Sequence, residues 1–315
     1  MTAVHLGSSG MLDLTNELPI PDPAASTLVG RPRSEGPGNW FGAPSVLRHD
    51  GWFYLAVRMR DRGERGHAVT IARSRDGVDL ETLAVLGKDD FGAASLERPS
   101  LHRLPGGGWR LYMSCATPGG YHWWVEALDA HHPGEFEPAA GVKVWTGDAQ
   151  SAIKDPFVVH DGRHWHAWVC VHPLSDPEAT DRMWTDYYSS DDGLEWRSHG
   201  TALRPAAGTW CARGARVAFV ARRADRWVAY FDGRASASDN AEEVTGIAWG
   251  NSPGDLRASE DPLAVSTAGS GSLRYLSMVG LGGGSCRLYY EASLADGSHA
   301  LFTQLCPSPR STSGT

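Results

Sequence analysis

The sequence predicts an all-β fold, a five-bladed β-propeller with four antiparallel strands per blade. Three observations predict it. A hairpin pattern recurs five times along the chain, turn signals rich in glycine sit between its strands, and no long amphipathic helix competes.

The first hairpin opens at Ala43-Pro44, turns at Asp50-Gly51 and returns through Trp52 to Arg58. The second opens at Arg98-Pro99, turns at Pro105-Gly106-Gly107-Gly108 and returns from Trp109. The third opens at Asp155-Pro156, turns at Asp161-Gly162 and returns from His164. The fourth runs from Arg213-Gly214-Ala215 through a polar turn to Trp227, and the fifth from Arg274-Tyr275 through a glycine turn to Cys286. Taking Pro44, Pro99, Pro156, Ala215 and Tyr275 as equivalent gives spacings of 55, 57, 59 and 60 residues. Strand-like segments such as His67 to Arg73 and Thr245 to Trp249 follow the hairpins. Two Ser-Xaa-Asp-Gly turns occur, at Ser74 to Gly77 and Ser190 to Gly193. Four strands per unit and five units close a ring of blades. The expected organisation is an N-terminal extension over 1–38 packed on the domain, the propeller over 39–306, and a disordered tail over 307–315.

Composition narrows the partners. The chain has 315 residues and a net charge of -8, with no basic run, so nucleic acid is not an expected partner. No apolar run has membrane-spanning length, and the start lacks a basic, apolar leader, so a cytoplasmic protein is expected. Five scattered cysteines form no CxxC pair. No disulfide framework, metal or cofactor is expected from them. Thirteen tryptophans suit strands and sugar-binding surfaces alike. Oligomeric state is left open.

In a propeller the first strand of each blade lines the central channel, and the loop after the second strand returns to the same face. Pre-strand residues and these loops therefore share one concave mouth. The pre-strand set is Ala43, Arg98, Asp155, Arg213 and Arg274, with Glu97 and Lys154 beside it and Tyr275 opening the fifth strand. The loops add Arg58, Arg60 and His67, then His122, Trp123 and Trp124, then His172, Asp181, Trp184 and Asp186. They further add Asp232, Arg234, Glu242 and Glu243, and finally Glu291 and His299.

Asp155 is a base, an orienter of a sugar hydroxyl, or a structural carboxylate. Glu242 and Glu243 point to opposite faces of an extended segment, so one faces the pocket; Glu243 raised by burial would be a general acid. Glu97 is a second channel carboxylate or the partner of Arg98. Arg98, Arg213 and Arg274 share one blade position, and their planar forks suit either an anionic substrate or internal pairing with Asp155, Glu97 and Glu243. Trp123 and Trp184 offer faces for sugar stacking, while His122 and His172 are acid-base or binding groups. Arg58, Asp232, Glu242 and Tyr275 complete the binding set.

Over residues 38 to 305, the repeat pattern and the Lys154-Asp155-Pro156-Phe157 segment resemble the furanosidase-type glycoside hydrolases, family 43 with families 32, 68, 117 and 130. The resemblance implies a five-bladed fold and three carboxylates, lying before the first, third and fourth inner strands. Asp155 matches the second of these. Ala43 stands at the first position, and the segment from Cys211 to Arg216 offers no Glu for the third. The expected activity is a glycosidase, or a transglycosylating relative, acting on a small, acidic sugar or oligosaccharide, with Asp155 working alongside Glu243 or Glu97. The alternatives are a lyase, isomerase or cyclase on the same scaffold, a non-catalytic carbohydrate binder, and a sialidase-like enzyme, which would have six blades.

Overall fold

The computed structural model describes residues 10–14 and 18–308. They form twenty strands and four 3-10 turns, none longer than four residues. No helix among them is long and apolar enough to cross a membrane.

Every hairpin expected from the sequence forms, and each sheet grows outward from an inner strand. The first unit comprises β2 (Trp40–His49), β3 (Trp52–Asp61), β4 (Glu64–Ser74) and β5 (Glu81–Gly87). The second comprises β6 (Ser95–Arg103), β7 (Trp109–Ala116), β8 (Trp123–Ala130) and β9 (Val142–Trp145). The third comprises β10 (Ser151–His160), β11 (Trp165–Pro173), β12 (Trp184–Ser190) and β13 (Arg197–Leu203). The fourth comprises β14 (Gly214–Arg223), β15 (Arg226–Arg234), β16 (Val244–Ser252) and β17 (Asp255–Ala258). The last comprises β18 (Leu273–Gly282), β19 (Ser285–Ser293) and β20 (His299–Cys306).

This last unit takes its fourth strand from the other end of the chain. Strand β1 (Thr27–Gly30) pairs antiparallel with β20, and one parallel bridge, Trp40 to His299, joins the unit to the first. Residues 27–30 therefore belong to a sheet, whereas the sequence placed them in an extension lying on the domain. Their signal is four residues long, flanked by Pro23 and Pro32, and too short to read as a strand. Residues 1–9, 15–17 and 309–315, which include most of the expected tail, lie outside the described residues.

Each inner strand breaks register near its start, and at three of them the break holds a non-glycine residue at positive φ: Ala43 (48°), Asp155 (54°) and Tyr275 (55°). This left-handed backbone is strained for L-residues and persists only where surroundings dictate it. Here side chains of adjacent units cap the breaks. Asp155 N donates to Ser114 Oγ at 2.9 Å, Arg98 N to Asp155 Oδ1 at 3.0 Å, and Tyr275 N to Asp232 Oδ1 at 2.9 Å.

Apolar side chains fill the seams between units. Trp168 is fully buried, packs on Tyr187 and Trp227, and donates through Nε1 to Pro253 O at 2.8 Å. The two Ser-Xaa-Asp-Gly turns fasten two further seams. In each, the Ser hydroxyl accepts the Gly N–H and the Asp carboxylate caps the next two amides. The Gly carbonyl then accepts a tyrosine hydroxyl of the neighbouring unit, Tyr289 to Gly77 at 2.9 Å and Tyr112 to Gly193 at 2.8 Å. Both glycines have φ near 80°, and a Cβ there would lie within 2.7 Å of the tyrosine oxygen.

At the opposite ends of the inner strands, residues 10–14 cross the channel. Leu14 N donates to Arg222 O (2.7 Å), Arg222 N to Leu12 O (2.8 Å), and Gly10 bridges to His160.

Candidate functional site

The starts of the inner strands gather charge as the sequence suggested, but the charges are buried and paired with one another. The centre is Tyr275, 2 % exposed, with guanidiniums from four units around its ring: Arg216 at 3.9 Å, Arg274 at 5.1 Å, Arg58 at 5.2 Å and Arg98 at 5.8 Å. Such contacts are worth more when desolvated, as these are. Tyr275 thus plugs the axis and is not free to touch a substrate.

Arg216 links three carboxylates. Its Nη1 meets Asp155 Oδ2 at 3.2 Å, its Nη2 meets Asp232 Oδ2 at 2.9 Å, and Glu243 Oε2 lies 3.7 Å away. Glu243 also accepts from Arg274 Nη1 at 2.6 Å and Arg234 Nη1 at 3.0 Å. Glu97 accepts from Arg58 Nη1 at 2.8 Å and Arg65 Nη2 at 3.3 Å. Glu291 holds Arg274 at 2.8 Å and His299 Nδ1 at 2.9 Å, and Glu242 lies 3.1 Å from His299 Nε2. Glu291 fits because Gly42 faces it; a Cβ there would lie 2.3 Å from Glu291 Oε2.

The electrostatics depart from the expected acid. Burial pushes Glu243 upward, but Arg216, Arg274 and Arg234 outweigh it and hold its carboxyl well below the usual range. Glu243 is an ionised acceptor at neutral pH, so it does not suit the role of proton donor. Glu97 is lowered in the same way, burial being outweighed by Lys154 and Arg58, and Glu291 by Arg274 and His299. Asp232 alone among these moves up, because burial prevails over Arg216 and Glu243 adds repulsion.

The remaining candidates divide. Arg213 lies outside the ring and makes a two-pronged contact with Asp181 at 2.5 and 2.6 Å; the ring position three residues on belongs to Arg216. Arg98 spans the channel from β6 to the carbonyls of Val217 (3.5 Å) and Ala218 (2.6 Å) and faces away from the mouth. Trp184 is a packing residue, paired with Val171 across β11 and β12 in an apolar cluster. Trp123 stays at the rim, 5.5 Å from His172 and 4.7 Å from Lys154 Nζ, and His122 is half-buried beside it. His172 is neutral, its pKa driven well down by burial and by Lys154 and Arg234; its Nδ1 lies 3.1 Å from Thr180 O.

Stability should follow these charges. Contributions from Glu97, Glu243 and Glu291, all lowered on folding, are present above the ordinary glutamate value of about 4.3 and are lost as pH falls below it. Asp232, raised, runs the other way, so three groups oppose one. Burial lowers His299, but Glu242 and Glu291 outweigh it and raise it. Its contribution is complete below about 6.5 and is lost as pH rises through the raised value. Thermal unfolding followed against pH should therefore show Tm falling on both sides, and Glu242→Gln should flatten the alkaline side. An unchanged alkaline side in that variant refutes the assignment.

No family model matches the chain, and no curated protein matches it in sequence. Solved structures do match in fold. A thermostable family-43 glycoside hydrolase aligns over 90% of this chain and 98% of its own, at 15% identity and a TM-score of 0.66. An α-L-arabinofuranosidase from Lactobacillus brevis aligns over 84% and 90%, at 14% identity and 0.64. The fold is that of glycoside hydrolases and phosphorylases. The phosphorylase case is a β-1,2-mannobiose phosphorylase from Listeria innocua, in complex with its disaccharide. It aligns over 89% of this chain and 94% of its own, at 13% identity and 0.60. At such identity the likeness speaks for the fold alone.

Proposed function

We propose that the chain is a carbohydrate-active enzyme on a five-bladed propeller, taking an anionic glycoside at the face where the inner strands begin. The observation that carries this reading is that two cations at this face, Lys154 beside Trp123 and Arg234 beside Glu243, keep donors without a hydrogen-bond partner. Lys154 Nζ stands 3.8 Å from Asp155 and 4.0 Å from Glu97, without a closer carboxylate among the described residues. Arg234 is 2 % exposed, yet its Nε and Nη2 have no hydrogen-bond partner. Buried donors without acceptors are costly, and an oxyanion would satisfy them. In this reading the sugar ring rests on Trp123, its acidic group meets Lys154 and Arg234, and Asp155 and Glu97 are the carboxylates nearest the glycosidic bond.

One observation favours a second reading, sugar recognition without cleavage. Hydrolysis places two carboxyl groups across a slot, one of them protonated. Arg216 fills the space between Asp155 and Glu243, and Glu97 and Glu243 are both held ionised. A panel of neutral and acidic aryl glycosides separates the two. Turnover of uronides, reduced at least about a hundredfold in Asp155→Asn, supports the enzyme. Saturable binding of glucuronate without turnover of any glycoside supports the binder.

A further inference from the structure

The large cavity of the molecule lies beyond the charged ring. It is the channel proper, about 920 Å³, bounded by the inner strands and lined at its far end by residues 10–14. That volume is in the range of small-ligand sites. Val46, Leu101, Val158, Phe219 and Met278 give it a long apolar stretch, while Asp13, Arg48, His49 and Asp50 also line it. The polar side chains along the apolar stretch are already engaged. Ser45 Oγ accepts Leu101 N at 2.8 Å, Ser277 Oγ accepts Val46 N at 3.3 Å, and Ser100 Oγ pairs with His102 Nε2 at 2.8 Å. His102 is driven to a pKa of about 3 by burial and Arg110, so it brings no charge.

Arg98 is the deeply buried cation of the lining, at the end of the cavity nearest Tyr275. It is 2 % exposed and lines the channel, and its guanidinium bonds only to the carbonyls of Val217 and Ala218. Among the described residues, no carboxylate oxygen lies within 4 Å of its guanidinium nitrogens, unlike those of Arg58, Arg216, Arg234 and Arg274 in the ring above, although Asp232 and Asp155 act on it from farther off. Its Nε is buried without a partner. A guanidinium stays charged in a protein, and a buried charge whose direct hydrogen bonds are all to neutral carbonyls favours an anion beside it.

We propose that this channel is a second binding site, for a small carboxylate with an apolar body. The carboxylate meets the Arg98 guanidinium at the deep end, and the hydrocarbon lies along Val46, Leu101, Phe219 and Met278. Residues 10–14 line its outer end. A sugar does not suit this wall, because its hydroxyls would lose water and find the polar partners taken. The site shares no cationic group with the proposed glycoside site, which uses Lys154 and Arg234, so either can fail without the other.

The test uses the full chain with decanoate and 1-decanol as probes, read by calorimetric titration and by the shift in Tm. The expected result is one decanoate per chain, held at least about tenfold more tightly than decanol. Arg98→Met removes that preference while leaving decanol binding in place, and Val46→Phe, which fills the channel, abolishes both. Decanoate that fails to saturate, or that binds no better than decanol, overturns the proposal by leaving a channel filled with water alone. Binding unchanged in Val46→Phe overturns it too, and this arm stands even where Arg98→Met does not fold.

Discussion

Replacing Arg216 with methionine is expected to lower the free energy of unfolding by about 3–5 kcal/mol, the range for breaking a buried ion pair from one side. The reason is the number of charges that depend on it. Asp155, Asp232 and Glu243 all lie within 4 Å of this one guanidinium, and all are at most 2 % exposed. Arg98 meets Asp155 only through its backbone N–H, so among the described residues no other guanidinium pairs with Asp155. The same substitution also takes away the closest cation over the Tyr275 ring. Arg213→Met is the control, because Arg213 is only partly buried and holds a single carboxylate, Asp181, so it should move Tm far less. The deficit in Arg216→Met should shrink on acidification, since protonated carboxyls no longer need the cation. Equal Tm values for the two variants at neutral pH would refute this account of the ring.

The second large effect is expected from the chain terminus. A chain beginning at residue 31 loses β1 and leaves β20 as an open edge. It also loses the contacts that anchor the segment, Asp22 N to Gln304 Oε1 at 2.7 Å and Ser26 Oγ to Tyr290 OH. Unpaired edges template association with other chains. The expected outcome is a Tm lower by on the order of 10 °C and aggregation that increases with concentration. A chain beginning at residue 20 keeps β1 and lacks the segment crossing the channel, residues 10–14, together with the Pro19 carbonyl that accepts Tyr230 OH. It should stay monodisperse, which separates sheet closure from channel covering. Two truncations that behave alike would show β1 to be dispensable.

How much of this was legible beforehand depends on the residue. The inner hairpins were readable because bulky, β-branched residues and turn glycines repeat together, but Asp155-Pro156 marks the register break inside β10, which begins four residues earlier at Ser151. The fourth unit misled. It has no proline at its start, and its register break falls between Val217 and Phe219, so alignment on Ala215 put Arg213 where Arg216 stands. One signal was present: Arg216 lies on the strand itself, opposite Asp232, and a charge inside an apolar run demands a partner. Glu291 and His299 were legible as mouth residues. Nothing local indicated that these charges would neutralise each other, because pairing across five units is a property of closure. Nor could the sequence tell that Arg98 would reach across to the Val217 and Ala218 carbonyls and face the channel.

The two tyrosine latches have a consequence for recognising distant relatives. Each joins a turn in one unit to the second strand of the unit before it around the ring, Tyr112 to Gly193 and Tyr289 to Gly77. The latch needs only four things: Ser, Asp and Gly in a four-residue turn, and a tyrosine on a second strand. The partners are 81 residues apart in the first case and 212 in the second, where the last unit is tied to the first. Sequences too divergent to align by identity could be searched for this pair of separations.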